Sequence, residues 1–164
     1  MLKVFVINTL IVSLVVGIHY EVLYRSTSWL PKLPVRPRFR TLFGVVVAML
    51  AHVIEVWVFA LAYYQMDKQP GWGTLDGSYD GSLYSSVYFS FATFTTLGMG
   101  DIVPLGDIRF LVALESLAGF VLITWTASFL YLEMTRNWTS SDGQDSLRKA
   151  SQDNAQDNAQ DKTA

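Results

Sequence analysis

Three long apolar runs alternate with polar stretches along the chain. They extend from about Leu2 to Tyr20, from Thr41 to Tyr64 and from Ile108 to Leu132. Each is near or above the ~20 residues that carry an α-helix across a bilayer. Polar residues collect in 21–41, 65–82 and 134–164. A shorter segment, Leu83 to Thr95, has 13 residues and cannot cross alone. That length fits a helix that enters and turns back. The pattern predicts an all-α membrane protein of three transmembrane helices plus a re-entrant pore helix.

Composition strengthens this picture. Of 164 residues, 51% are hydrophobic and 16% charged, against about 25% charged in a soluble domain. A net charge of −2 gives no reason to expect nucleic-acid binding. With no cysteine there is no disulfide framework and no thiolate metal site. No nucleophile–base pair, phosphate loop or metal cluster is apparent, so no catalytic residue and no cofactor is expected. The first run has its charges after it and no small-residue cleavage site, so it reads as a retained helix rather than a leader.

Lysine and arginine set the orientation. Arg25, Lys32, Arg36, Arg38 and Arg40 lie in 21–40, and Arg136, Arg148, Lys149 and Lys162 in the tail; 65–82 holds only Lys68 against three aspartates. The first loop and the tail are therefore expected in the cytoplasm and the amino terminus outside. Trp29, Trp72 and Trp138 fall near predicted helix ends, as interfacial anchors do. The expected organisation is an N-terminal helix (1–20), a basic loop (21–40) and a pore domain (41–133), followed by a polar tail (134–164) with too little apolar surface to fold. Within the pore domain, 41–64 is an outer helix, 65–82 an irregular glycine-rich turret, 83–95 the pore helix, 96–101 the filter and 108–133 the inner helix.

The stretch TFTTLGMGDIVP, Thr93 to Pro104, places hydroxyls, two glycines and an aspartate between apolar runs. Irregular backbone at membrane depth survives only inside protein or along a water-filled path. Gly98 and Gly100 can take positive φ without penalty. Alternating such residues with ordinary ones turns successive carbonyls to one side, and Thr96 adds a hydroxyl oxygen. Rings of such oxygens replace the hydration shell of a cation. The pore helix, ending near mid-membrane, directs its negative end at a cation there.

Ser90 to Asp101, SFATFTTLGMGD, followed by Pro104, resembles the pore loop of the potassium channel superfamily, and the likeness covers roughly 41–133. The resemblance implies ion binding at Thr96, Leu97, Gly98, Met99 and Gly100. It implies filter support from Thr95, Asp101, Tyr88, Phe89 and Glu115, and a gating hinge at Gly119. Leu97 and Met99 depart from the usual valine and tyrosine. Tyr88 stands near the place of the family's tryptophan partner to the filter aspartate. One pore loop per chain implies a C4 homotetramer in a bacterial inner membrane, passing monovalent cations and above all K+. Two other functions fit the same features: a non-selective cation channel, should Met99 loosen the filter, and a non-conducting membrane subunit.

Thr124 and Ser128, i and i+4 on the third run, are candidates for cavity lining. Glu115 is expected to brace the inner helix against the pore helix, with Thr93 or Thr95 as partner. His52 and Glu55 share one helix face at i, i+3, but two ligands from one helix are too few for a metal. His19 carries no functional expectation.

Overall fold

The computed structural model describes residues 2–32, 34 and 37–161, with the side chains among them except those of 31, 37, 38 and 137–161. Among these are four α-helices: α1 (Leu2–Trp29), α2 (Pro37–Asp67), α3 (Leu83–Phe94) and α4 (Ile108–Asp161). A short 3-10 turn follows α1 at Leu30–Lys32, and two strands complete the set, β1 (Thr74–Gly77) and β2 (Ile102–Leu105). Leu2–Trp29, Phe39–Asp67 and Ile108–Arg136 are each long and apolar enough to cross a membrane. Helix α2 packs against α1, α3 and α4, and α4 also contacts α1 and α3.

Helix α1 buries Asn8, Val15, His19, Leu23 and Ser26, a stripe at helical spacing. Three of the five are polar, while Leu10, Leu14 and Val16 on other faces are exposed. A bilayer inverts the soluble pattern: apolar groups face lipid and polar ones seek protein. On α2 the buried positions include Ala48, Ala51, Glu55, Phe59 and Tyr63. The alanines let neighbouring backbones approach.

Four expectations are corrected. The first loop is largely helical, because α1 continues to Trp29 and α2 begins at Pro37. Helix α1 gives way to the 3-10 turn that contains Pro31, and Pro37 occupies the first turn of α2, where its missing N–H costs nothing. The turret is not wholly irregular: β1 pairs antiparallel with β2, from Thr74↔Leu105 to Gly77↔Ile102. Strands of four residues containing glycine or proline carry almost no sequence signal, and Pro104 is tolerated because this two-stranded sheet has only edges. Gly73 permits the pairing; at φ +102° it lies so close that a Cβ there would come within 1.9 Å of the Leu105 carbonyl oxygen.

Trp72 is buried rather than anchored in an interface, with the Lys3 ammonium 5.1 Å from its ring centroid. The tail backbone is helical to Asp161. Its alanine, glutamine, lysine and arginine are good helix formers, and no proline interrupts the run from Ile108. The expectations for Arg38, Trp138, Arg148 and Lys149 fall on undescribed side chains, and those for Arg36 and Lys162 lie outside the described residues.

Candidate functional site

Helix α3 begins with a local cap. The Ser82 hydroxyl accepts from the Ser85 N–H at 3.0 Å. Asp80 accepts from the Ser82 N–H at 3.0 Å and from the Ser85 hydroxyl at 2.5 Å. These bonds favour its ionised form and hold the Asp80 carboxyl down at about 2. The Tyr79 and Ser86 hydroxyls lie 2.9 Å apart, tying the turret to the first turn.

At the other end the chain leaves the helix through a tight series of backbone bonds. The N–H of Thr95 donates to Phe91, that of Thr96 to Thr93 and that of Gly98 to Ala92, at 3.1, 2.9 and 3.0 Å. Thr96, Gly98 and Gly100 then take φ of 58°, 55° and 81°, alternating with Leu97 and Met99. Thr96 is the non-glycine residue with positive φ among those described, a conformation that needs support from its surroundings. Leu97 and Met99 line a pocket of about 230 Å³ with Tyr88, Phe91, Ala92 and Thr95 of α3 and its end. The Thr95 hydroxyl donates to the Phe91 carbonyl at 2.7 Å.

The segment after the turn is fixed as well. The Tyr88 phenol interacts with the Asp101 carboxylate, and the Asp101 carbonyl accepts from the Ser78 N–H at 2.8 Å. Phe89 is buried, its ring edge-on to Tyr63 at 5.1 Å.

Glu115 of α4 is fully buried and braces three helices, but not through Thr93 or Thr95. Its partners are the Tyr63 hydroxyl of α2 and the Ser90 hydroxyl of α3, the latter at 2.5 Å. The same Ser90 oxygen lies 2.9 Å from the Val56 carbonyl. One hydroxyl proton does not fully serve two acceptors; the count closes if Glu115 is a neutral acid that supplies the second. Sequence spacing could not have found these partners, which are 52 and 25 positions away. Gly119, one turn on, lies against the last turn of α3: a Cβ there would be 2.0 Å from the Phe94 carbonyl oxygen. Thr124 and Ser128 are exposed, with their hydroxyls bonded to their own helix at Phe120, Val121 and Thr124.

A second polar cluster was not legible in the sequence. His19 of α1 joins His52 and Glu55 of α2, with Nδ1 atoms 2.8 and 2.9 Å from the two carboxylate oxygens. Both Nε2 atoms face the Thr126 hydroxyl of α4, at 3.4 and 3.1 Å.

The family model described as "Ion channel" matches residues 51–136, which include α3, the alternating turn and the packed part of α4. The chain belongs to the ion channel family. The inward rectifier potassium channel Kirbac3.1 of Paramagnetospirillum magnetotacticum is 32% identical over 80 residues, covering 48% of this chain and 25% of that one. The chain thus spans about a quarter of the length of that curated relative. No solved structure matches it. The family match runs through both α3 and Gly119, so their close approach belongs to the channel core. Helix α1 lies outside the matched residues, although it is packed against α2 and α4.

Proposed function

We propose that the chain is one quarter of a homotetrameric cation channel that selects K+ through main-chain oxygens at Thr96, Leu97, Gly98, Met99 and Gly100. One observation carries the reading: left-handed backbone at Thr96, Gly98 and Gly100 alternates with Leu97 and Met99, the kind of alternation that can turn successive carbonyls toward one side. In a membrane such backbone is tolerated where it lines a path for water or ions, and stacked carbonyl rings replace a cation's hydration. A single chain offers one face of that path, so fourfold symmetry supplies the rest. The potassium-channel relative supports the choice of ion. Thr124 and Ser128 would line the cavity below, and Gly119 would be the hinge of the inner helix.

The amino terminus is assigned to the outer side of a bacterial plasma membrane. Lys3 beside Trp72 supports putting it on the same side as the turret. Asp101, held by Tyr88, would fix the outer end of the filter.

Purified chain in liposomes is expected to pass K+ and to give a reversal potential in mixed K+ and Na+ close to that of K+. The Gly98→Ala variant is expected to abolish flux; flux at the parent level would mean that ions take another route. The pocket behind Met99 favours one rival, a non-selective cation pore, because Met99 has no hydroxyl to bond the pore helix. Equal K+ and Na+ permeabilities would establish that rival. Absence of all flux from folded tetramers would leave the non-conducting subunit.

A further inference from the structure

We propose that His19, His52 and Glu55 bind a borderline divalent cation of the zinc class, with Thr126 holding the two imidazoles from behind. The sequence offered only His52 and Glu55 on one helix; the fold brings His19 of α1 to the same carboxylate. One ligand atom from each of the three residues lies within 4.8 Å of the others. Two imidazoles and a carboxylate are a donor set that zinc accepts, leaving one coordination position open. Bonds of about 2.0–2.1 Å put the ligand atoms of a tetrahedral ion roughly 3.3 Å apart, so the Nδ1 atoms and carboxylate oxygens, now 2.8 and 2.9 Å apart, have to part by a few tenths of an ångström to admit it.

The hydrogen-bond inventory supports ligation through Nδ1. A histidine that binds metal through one nitrogen carries its proton on the other, and that N–H needs an acceptor. Here both Nε2 atoms converge on Thr126 Oγ1. A threonine oxygen has two acceptor sites and can take both N–H groups. Tilted packing of Trp125 on His19, with ring centroids 5.4 Å apart, and stacking of His19 on His52 at 5.3 Å further limit ring rotation. Glu55 and His19 are fully buried, whereas the His52 side chain is 16% exposed. His52 also lines an apolar cavity of about 350 Å³ between α2, α3 and α4. A bound cation would join α1 to the channel core and, through Thr126, to α4.

The test uses the full chain, purified in detergent without a polyhistidine tag. Zn2+ is titrated calorimetrically, and Co2+ serves as a spectroscopic probe. The expected result is one Zn2+ per chain, a low-symmetry tetrahedral or five-coordinate Co2+ absorption that Zn2+ displaces, and a higher melting temperature with Zn2+. His52→Gln is expected to weaken binding at least about 100-fold, and Thr126→Val about 10- to 100-fold, as loss of a partner behind a ligand does. His19→Gln should behave like His52→Gln; should it fail to assemble, the partly exposed His52 decides alone. Substoichiometric uptake, or uptake unchanged in His52→Gln, would overturn the proposal and leave the cluster as a hydrogen-bonded clamp between helices. None of these readouts requires ion conduction, so failure here is separable from failure of the channel reading.

Discussion

The Phe94 carbonyl oxygen lies 2.0 Å from where a Cβ on Gly119 would stand. The end of α3 therefore rests on the backbone of α4, and the absence of a side chain at this position is a packing requirement. Whatever bending Gly119 allows, contact with α3 constrains it first.

Gly119→Ala should consequently be damaging in a way an ordinary helix glycine is not. The intruding methyl meets backbone atoms of Phe94, which cannot rotate away. Overpacking of this kind costs about 1–3 kcal/mol. At Gly17 of α1 an added Cβ would meet nothing within 4 Å, so Gly17→Ala should be neutral or add about 0.5–1 kcal/mol. Thermal unfolding in detergent of the two variants, side by side, checks the contrast. Equal behaviour would remove the packing explanation.

Glu115→Gln should be tolerated and Glu115→Ala should not. Glutamine offers an N–H to Ser90 and a carbonyl to Tyr63, the roles of a neutral acid. Alanine strands the buried Tyr63 hydroxyl, at about 1–3 kcal/mol, whereas Ser90 keeps the Val56 carbonyl as acceptor. The check is the yield of intact assembly after extraction, joined to infrared spectroscopy. A carboxylic-acid carbonyl stretch lost in Glu115→Gln is expected; only a carboxylate signal would contradict the hydrogen-bond count.

Asn8→Leu should stabilise the chain. Asn8 is buried on α1, and neither polar atom of its side chain has a hydrogen-bond partner. Removing an unsatisfied amide recovers part of a cost of about 1–3 kcal/mol. A rise in melting temperature is expected. A fall would mean that Asn8 has a partner in the assembled protein.

The start of the pore helix should respond to acid late. Bonds from Ser85 and Ser82 lower the Asp80 carboxyl from 3.8 to about 2. A lowered folded pKa gives stabilisation that is complete above the unfolded value and fades as pH falls from about 4 toward 2. Protection of the Ser82 and Ser85 amides from hydrogen exchange should therefore persist at pH 4 and decline below it. Asp80→Asn should remove that pH dependence; if the profile survives the substitution, another group is responsible.

Much of this was readable from the chain alone, for definite reasons. Hydrophobic runs separated by charge clusters mark spans because a bilayer admits little else. Gly98 and Gly100 could be assigned positive φ because few residues other than glycine adopt it cheaply. Thr96 at φ 58° could not, since its strain is imposed by the bonds around it. Helix ends moved by several residues because proline position, not apolarity, stops a helix: α1 passes its last apolar stretch and ends just before Pro31. Glu115 could be recognised as a bracing group from the cost of a charge in a membrane, but not matched to its partners.

The sequence by itself determined the three span-length helices, the short helix between them and the glycine-bearing turn, because these follow from local length, hydropathy and backbone freedom. Tertiary structure alone decided that Trp72 is buried, that β1 pairs with β2, that Gly119 receives Phe94, and that His19, Glu55 and Thr126 meet across three helices. Those outcomes depend on which helix faces adjoin. Lipid treats all apolar faces alike, so only the packing of one helix on another could select them.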